Sequence, residues 1–115
     1  MVTGMANKPD LLPGTLDMLI LKTLTRAPLH GYGIALSIKR LSDDVLTVEE
    51  GSLYPALQRL LREGLLKAEW ENSASNRRVR TYRITAAGKK RLEREIFSFD
   101  RMLEGISLVL SPTEP

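Results

Sequence analysis

The chain has 115 residues, 43% hydrophobic and 27% charged, which fits one small domain whose single core is thin enough to gain from oligomerisation. With no cysteine and one histidine, His30, it has no means for disulfides, thiolate nucleophiles, cysteine-ligated zinc or a histidine metal cluster, and neither metal nor cofactor is expected. Net charge is only +3, but residues 59–91 hold ten basic and three acidic side chains, so this window carries +7 and the rest −4, an asymmetry that points to a polyanionic partner.

Residues 1–10 show no periodicity and are expected to form a tail. No apolar run is long enough to span a bilayer and no secretory pattern opens the chain, so a soluble cytoplasmic protein is expected. "LLPGTLDMLILKTLTRAP" predicts a helix over residues 15–25, bracketed by Pro13 and Pro28. Leu16, Leu19, Ile20, Thr23 and Leu24 share one face, whereas Met18 and Leu21 lie on another, which is assigned to a second subunit. "HGYGIALSIKRLSDD" turns at Gly31 and Gly33, and the stripe Ile34, Ile38, Leu41 predicts a second helix over residues 32–41.

"EEGSLYPALQRLLREGLL", residues 49–66, predicts a third helix that buries Leu53, Leu57, Leu60 and Leu61 and ends at Gly64, with Leu65 folding back on Leu60. Thr47 and Glu50 have capping-box spacing, which starts the helix at Thr47. Pro55 would then lie inside it; a start near Ser52 would put Pro55 in the first turn instead, and the sequence leaves both open. The opposite face carries Ser52, Tyr54, Pro55, Gln58, Arg59 and Arg62, an unusual solvent face. A helix lying in a major groove needs such groups: hydrogen-bonding side chains for base edges or phosphates, a ring for apolar contact, and an arginine for bidentate pairing.

Beyond Gly64 the period becomes two. Leu66, Ala68 and Trp70 alternate with charged residues in a half-buried strand, "NSASN" is turn chemistry, and "RRVRTYRI" returns with Tyr82 and Ile84 opposite Val79 and Thr81. Asn76, Arg77, Arg78 and Arg80 sit at or beside the tip of this β-hairpin, where they can enter a minor groove or follow the phosphate backbone. Thr85 then caps a last helix whose residues Leu92, Ile96, Phe99, Leu103, Ile106 and Leu110 form a heptad seam, expected at a dimer interface. Phe97, Phe99 and Met102 could line an effector pocket between paired helices; the plainer reading packs them into the dimer.

Three helices, a hairpin and an appended helix make a mainly α fold, a winged helix-turn-helix with a C-terminal dimerisation helix. The expected divisions are a tail (1–10), a DNA-binding domain (11–84), the dimerisation helix (85–110) and a second tail (111–115). Double-stranded operator DNA, a second copy of the chain and a small-molecule effector are the partners considered. The alternative from another class is a winged-helix module that binds an acidic protein through Tyr54 and Pro55. An enzyme is not expected, because His30 alone lacks the partners of a triad or a hydrolytic metal site.

The stretches "LLPGTLDMLILKTL", "HGYGIALSI", "EEGSLYPALQRLLREGLL" and "RTYRITAAGKKRL" resemble the PadR family of transcriptional regulators over most of the chain. That resemblance implies a dimeric bacterial repressor on a palindromic operator, with Tyr32, Ser52, Tyr54 and Arg59 near DNA and Arg77 and Arg78 in the wing. The single short C-terminal helix resembles the compact branch. Some compact members bind flat aromatic drugs through a tryptophan on that helix. Here the sole tryptophan, Trp70, lies on the hairpin, and the last helix offers Phe97 and Phe99.

Overall fold

The computed structural model describes Leu11 and residues 14–112, so the expected first tail and the end of the second lie outside the described residues. Helix α1 (Thr15–Leu24) is enclosed on most sides, because its apolar residues are too many for one stripe. Ile20, Leu21, Thr23 and Leu24 are buried, while Leu16, Met18 and Leu19 pack against the core edge. The second buried surface expected of this helix is therefore real, but Leu21 is 0% exposed inside its own subunit and has nothing to offer a partner. Met18 remains at the surface edge, facing the last helix.

A two-residue strand, β1 (Leu29–His30), follows, too short to show a period and missed in the sequence. It pairs antiparallel with the second hairpin strand, Leu29 opposite Tyr82 and His30 opposite Thr81. His30 also caps α2 (Gly31–Leu41), its Nδ1 accepting the Gly33 amide at 3.2 Å. Ile34 and Ile38 of α2 are buried; Leu41, at the end of the stripe, is exposed.

Helix α3 runs from Glu50 to Arg62 and buries Leu53, Ala56, Leu57 and Leu60. Neither expected start holds. The N-cap is Glu49, without a side-chain bond, and Thr47 Oγ1 is buried with no hydrogen-bond partner among the described residues. The physical reason is that Leu46 and Val48 pack on the core from an extended chain, which delays the helix past the capping-box position. Pro55 consequently stands inside α3 as its sixth residue, where it cannot donate to the Gly51 carbonyl. The other end is as expected. Gly64 takes a left-handed φ of 74°, its amide donates to Leu61 O, and the Leu65 amide donates to Leu60 O at 3.0 Å. These two bonds satisfy carbonyls the helix leaves free and turn Leu65 into the core.

The hairpin strands β2 (Leu66–Asn72) and β3 (Arg78–Ile84) pair from Leu66–Ile84 to Asn72–Arg78, giving a three-stranded antiparallel sheet in the order β1-β3-β2. Leu66, Ala68, Tyr82 and Ile84 cover the core, but the place on the buried face expected for Trp70 is not met: it is 56% exposed, beyond the reach of the core. Thr85 then caps α4 (Ala86–Leu110), its hydroxyl accepting the Gly88 amide at 3.0 Å. This helix is about 37 Å long at 1.5 Å per residue. Only its start is buried, at Gly88 and Leu92. Leu92 thus leaves the expected seam for the subunit's own core, while Ile96, Phe99, Leu103, Ile106 and Leu110 remain exposed.

Candidate nucleic-acid interface

The interface begins with the face of α3 turned from the core. Ser52, Tyr54, Pro55, Gln58 and Arg62 are all exposed there, as the helical spacing requires once the leucines are buried. Tyr54 leans back across the start of α2, so closely that a Cβ on Gly31 would lie 2.7 Å from its hydroxyl oxygen. Gly31 is therefore the residue that lets the ring settle against α2. Tyr32 stands beside it, exposed, its ring stacked near that of His30.

The hairpin supplies the facing wall. Its tip is closed by Ser73, which exchanges backbone bonds with Arg77 and Asn76, while Asn76 takes a left-handed φ of 61°. Strand alternation then sorts the arginines: Arg78 and Arg80 share the inner face with Trp70, and Arg77 sits at the tip. The Arg78 and Arg80 guanidiniums lie over the Trp70 ring at 5.2 and 5.8 Å from its centroid, and Arg80 also approaches Tyr82 at 6.0 Å. Arg80 Nε is buried with no acceptor among the described residues. On the outer face the charges are neutralised locally, Arg83 with Glu69 at 3.2 Å and Thr81 donating to Glu71.

Between α3 and the inner face of the hairpin lies an open cleft of about 630 Å³. It gathers Tyr32, Tyr54, Gln58, Arg77, Arg78 and Arg80, with Trp70 and Tyr82 in its wall. Burial raises the Tyr82 hydroxyl above the ordinary tyrosine range, opposed by the nearby Arg80 charge. Ser52, Pro55 and Arg62 stand on α3 outside the cleft, and Asn76 lies at the tip.

Arg59 differs from the free base-reading side chain that the sequence suggests. Its guanidinium grips Asp17 of α1, Nη2 to Oδ1 at 2.5 Å and Nε to Oδ2 at 3.4 Å. This bond, more than the opposing desolvation, raises the Arg59 pKa further above an already high value. Asp17, Gly31 and Trp70 are the site residues that sequence reasoning missed. Asp17 looked like an ordinary acid in a first helical turn, and Trp70 like the end of a buried stripe.

Within one subunit the residues expected at an effector pocket lie in two places. Phe99 and Met102 line a shallow groove with Met18 at the start of α1, but Phe97 lies on another side of α4 beside Asp100 and Arg101. No group of three or more His, Asp or Glu residues able to hold a metal ion occurs among the described residues, and no described helix is long and apolar enough to cross a membrane.

This arrangement of helices and sheet matches known proteins. The model of the transcriptional regulator PadR-like family matches residues 20–94. The chain belongs to that family. A transcriptional regulator from Clostridium thermocellum superposes on this PadR-like chain with a TM-score of 0.77 at 26% identity, covering 84% of this chain and 93% of that one. A PadR family regulator from Eggerthella lenta gives a TM-score of 0.73 at 34% identity, covering 87% and 85%. An uncharacterized protein X of Lysinibacillus sphaericus is 26% identical over 107 residues, 93% of this chain and 98% of its own length. The PadR-like winged-helix fold is thus established, and the chain is a DNA-binding transcriptional regulator of a family made of regulators, not enzymes.

Proposed function

We propose that this PadR-like chain is a cytoplasmic repressor that binds a palindromic operator as a homodimer and occupies a promoter. The division into a DNA-binding part (11–84) and a pairing helix (85–110) is part of this reading. The observation that carries it is the cleft, where the outward face of α3 and the basic inner face of the hairpin converge on one side of the subunit. A duplex groove offers what those walls can bind: phosphates for Arg77, Arg78 and Arg80, and base edges or sugars for Ser52, Tyr54, Pro55 and Gln58. Arg62 and Asn76 would extend the contact along the backbone, and Tyr32 would meet it at the cleft mouth. Arg59 would reach a base only by leaving Asp17.

Pairing is supported by α4. Five apolar seam residues from Ile96 to Leu110 stay exposed in one subunit, and covering what remains of each would contribute up to roughly 1.5–3 kcal/mol. Met18, Phe99 and Met102 would close the interface at its base, and a small apolar effector could enter between the paired helices there. Two copies would then present their α3 helices to successive major-groove faces about 34 Å apart. Footprinting on the promoter upstream of the gene tests the whole reading. Protection of two symmetric half-sites supports it, whereas a chain that prefers no duplex over random competitor would support a protein-binding module instead.

A further inference from the structure

Operator binding as described leaves Trp70 without a task. It is a large ring that the core does not cover, set directly opposite Arg80 across the hairpin and two pairs along from Arg78. Both guanidiniums lie on it, and Arg80 is confined further by Tyr82. A guanidinium within about 6 Å of a ring face is attracted to it while its edge donors stay available for another partner. Arg80 Nε is buried, so this side chain is packed among its neighbours rather than free in solvent. The cleft in front of these side chains separates α3 from the wing, and a duplex entered by both elements in neighbouring grooves passes its intervening sugar-phosphate backbone through that space.

We propose that Trp70 is a positioning residue for DNA binding: its ring holds Arg78 and Arg80 inside the cleft, so that both meet phosphates of the strand running between α3 and the hairpin. The proposal rests on the reading that this face meets the operator. It assigns Trp70 no base contact, and so no part in choosing sequence. Its effect falls on the electrostatic share of affinity.

The test is the dependence of operator affinity on salt, measured by fluorescence anisotropy with labelled duplex for the full-length protein. Each phosphate contact contributes about 0.9 to the slope of log affinity against log salt. Trp70→Leu, which keeps apolar bulk but removes the ring, is expected to lower the slope by up to about 1.8, the share of two arginines. Over a rise from about 50 to about 200 mM salt, that is about a twelvefold smaller fall in affinity than wild type shows. Trp70→Phe, which retains a ring face, should keep most of the slope. In a background already carrying Arg78→Ala and Arg80→Ala, Trp70→Leu should cause no further change.

An unchanged slope in Trp70→Leu, an equal loss in Trp70→Phe, or a full additional loss in the double-arginine background overturns the role of Trp70. If the two arginine substitutions leave the slope untouched while the protein still binds duplex, the interface reading fails, and the proposal with it.

Discussion

Helices α3 and α4 carry similar leucine-rich stripes and end up in opposite circumstances. The α3 stripe is consumed within the subunit, with Leu57 and Leu60 at 0% exposure, and the polar remainder faces outward. The α4 stripe is fully buried only at Leu92; Ile96 and Phe99 are partly covered, and the apolar residues beyond them are more exposed. A heptad or helical stripe therefore states that a surface will be covered, not by what. The difference lies in reach: α3 is held on several sides within the subunit, while α4 packs mainly on α1 and leaves its later turns exposed.

The strongest way to break this comparison is to charge the bare stripe. Leu103→Glu puts two carboxylates into a paired interface and removes two leucines worth roughly 1.5–3 kcal/mol each. It is expected to convert the protein to lone, folded subunits by sedimentation equilibrium, with unchanged circular dichroism. A protein that is monomeric before the substitution would contradict the pairing. Truncating the consumed stripe should do the reverse. Leu57→Ala should cost about 2–5 kcal/mol in chemical denaturation through the cavity it leaves, without selectively affecting association.

The Arg59–Asp17 pair sharpens the contrast on the α3 side. If Arg59 leaves Asp17 for a base, Arg59→Ala weakens operator binding by about 1–3 kcal/mol while Asp17→Asn preserves or strengthens it. If the pair is only a clamp between helices, neither substitution changes affinity, and both lower stability by about 0.2–1 kcal/mol, as expected for a half-exposed pair.

The last effect concerns Tyr82 and vanishes at neutral pH, where its hydroxyl is protonated in both states. Above the ordinary tyrosine value of about 10, the unfolded chain releases this proton before the folded one does. The unfolded state then binds fewer protons, so stability falls as pH rises towards the folded value, by at most ~1.4 kcal/mol per pH unit. Thermal melts from pH 9 to 11 should show this slope in the natural chain and a flatter one in Tyr82→Phe.

Most of the fold was legible because its signals are local. The helical stripes, the Gly64 turn, the Thr85 cap and the alternation after Leu66 each read out within one element. What escaped depends on distant partners. β1 exists only because β3 lies beside it, and α3 starts late because Leu46 and Val48 are drawn to a core assembled from elsewhere. The candidate interface divides in the same way. The exposed face of α3 follows from spacing, but no pattern in the sequence joins Arg59 to Asp17, 42 positions away.

The corner at Thr85 has a geometric consequence. Its amide donates to Leu65 O at 3.1 Å and its hydroxyl to Gly64 O at 2.8 Å, while the same hydroxyl receives Gly88. The exit from α3 and the entry to α4 are thereby riveted to one side chain. In the proposed pair, the inclination of each reading head to the common axis is fixed at that joint, and with it the number of base pairs between the centres of the two half-sites. Loosening the joint with Thr85→Ala should leave each head able to grip its own half-site while blunting discrimination between operators of different spacer length.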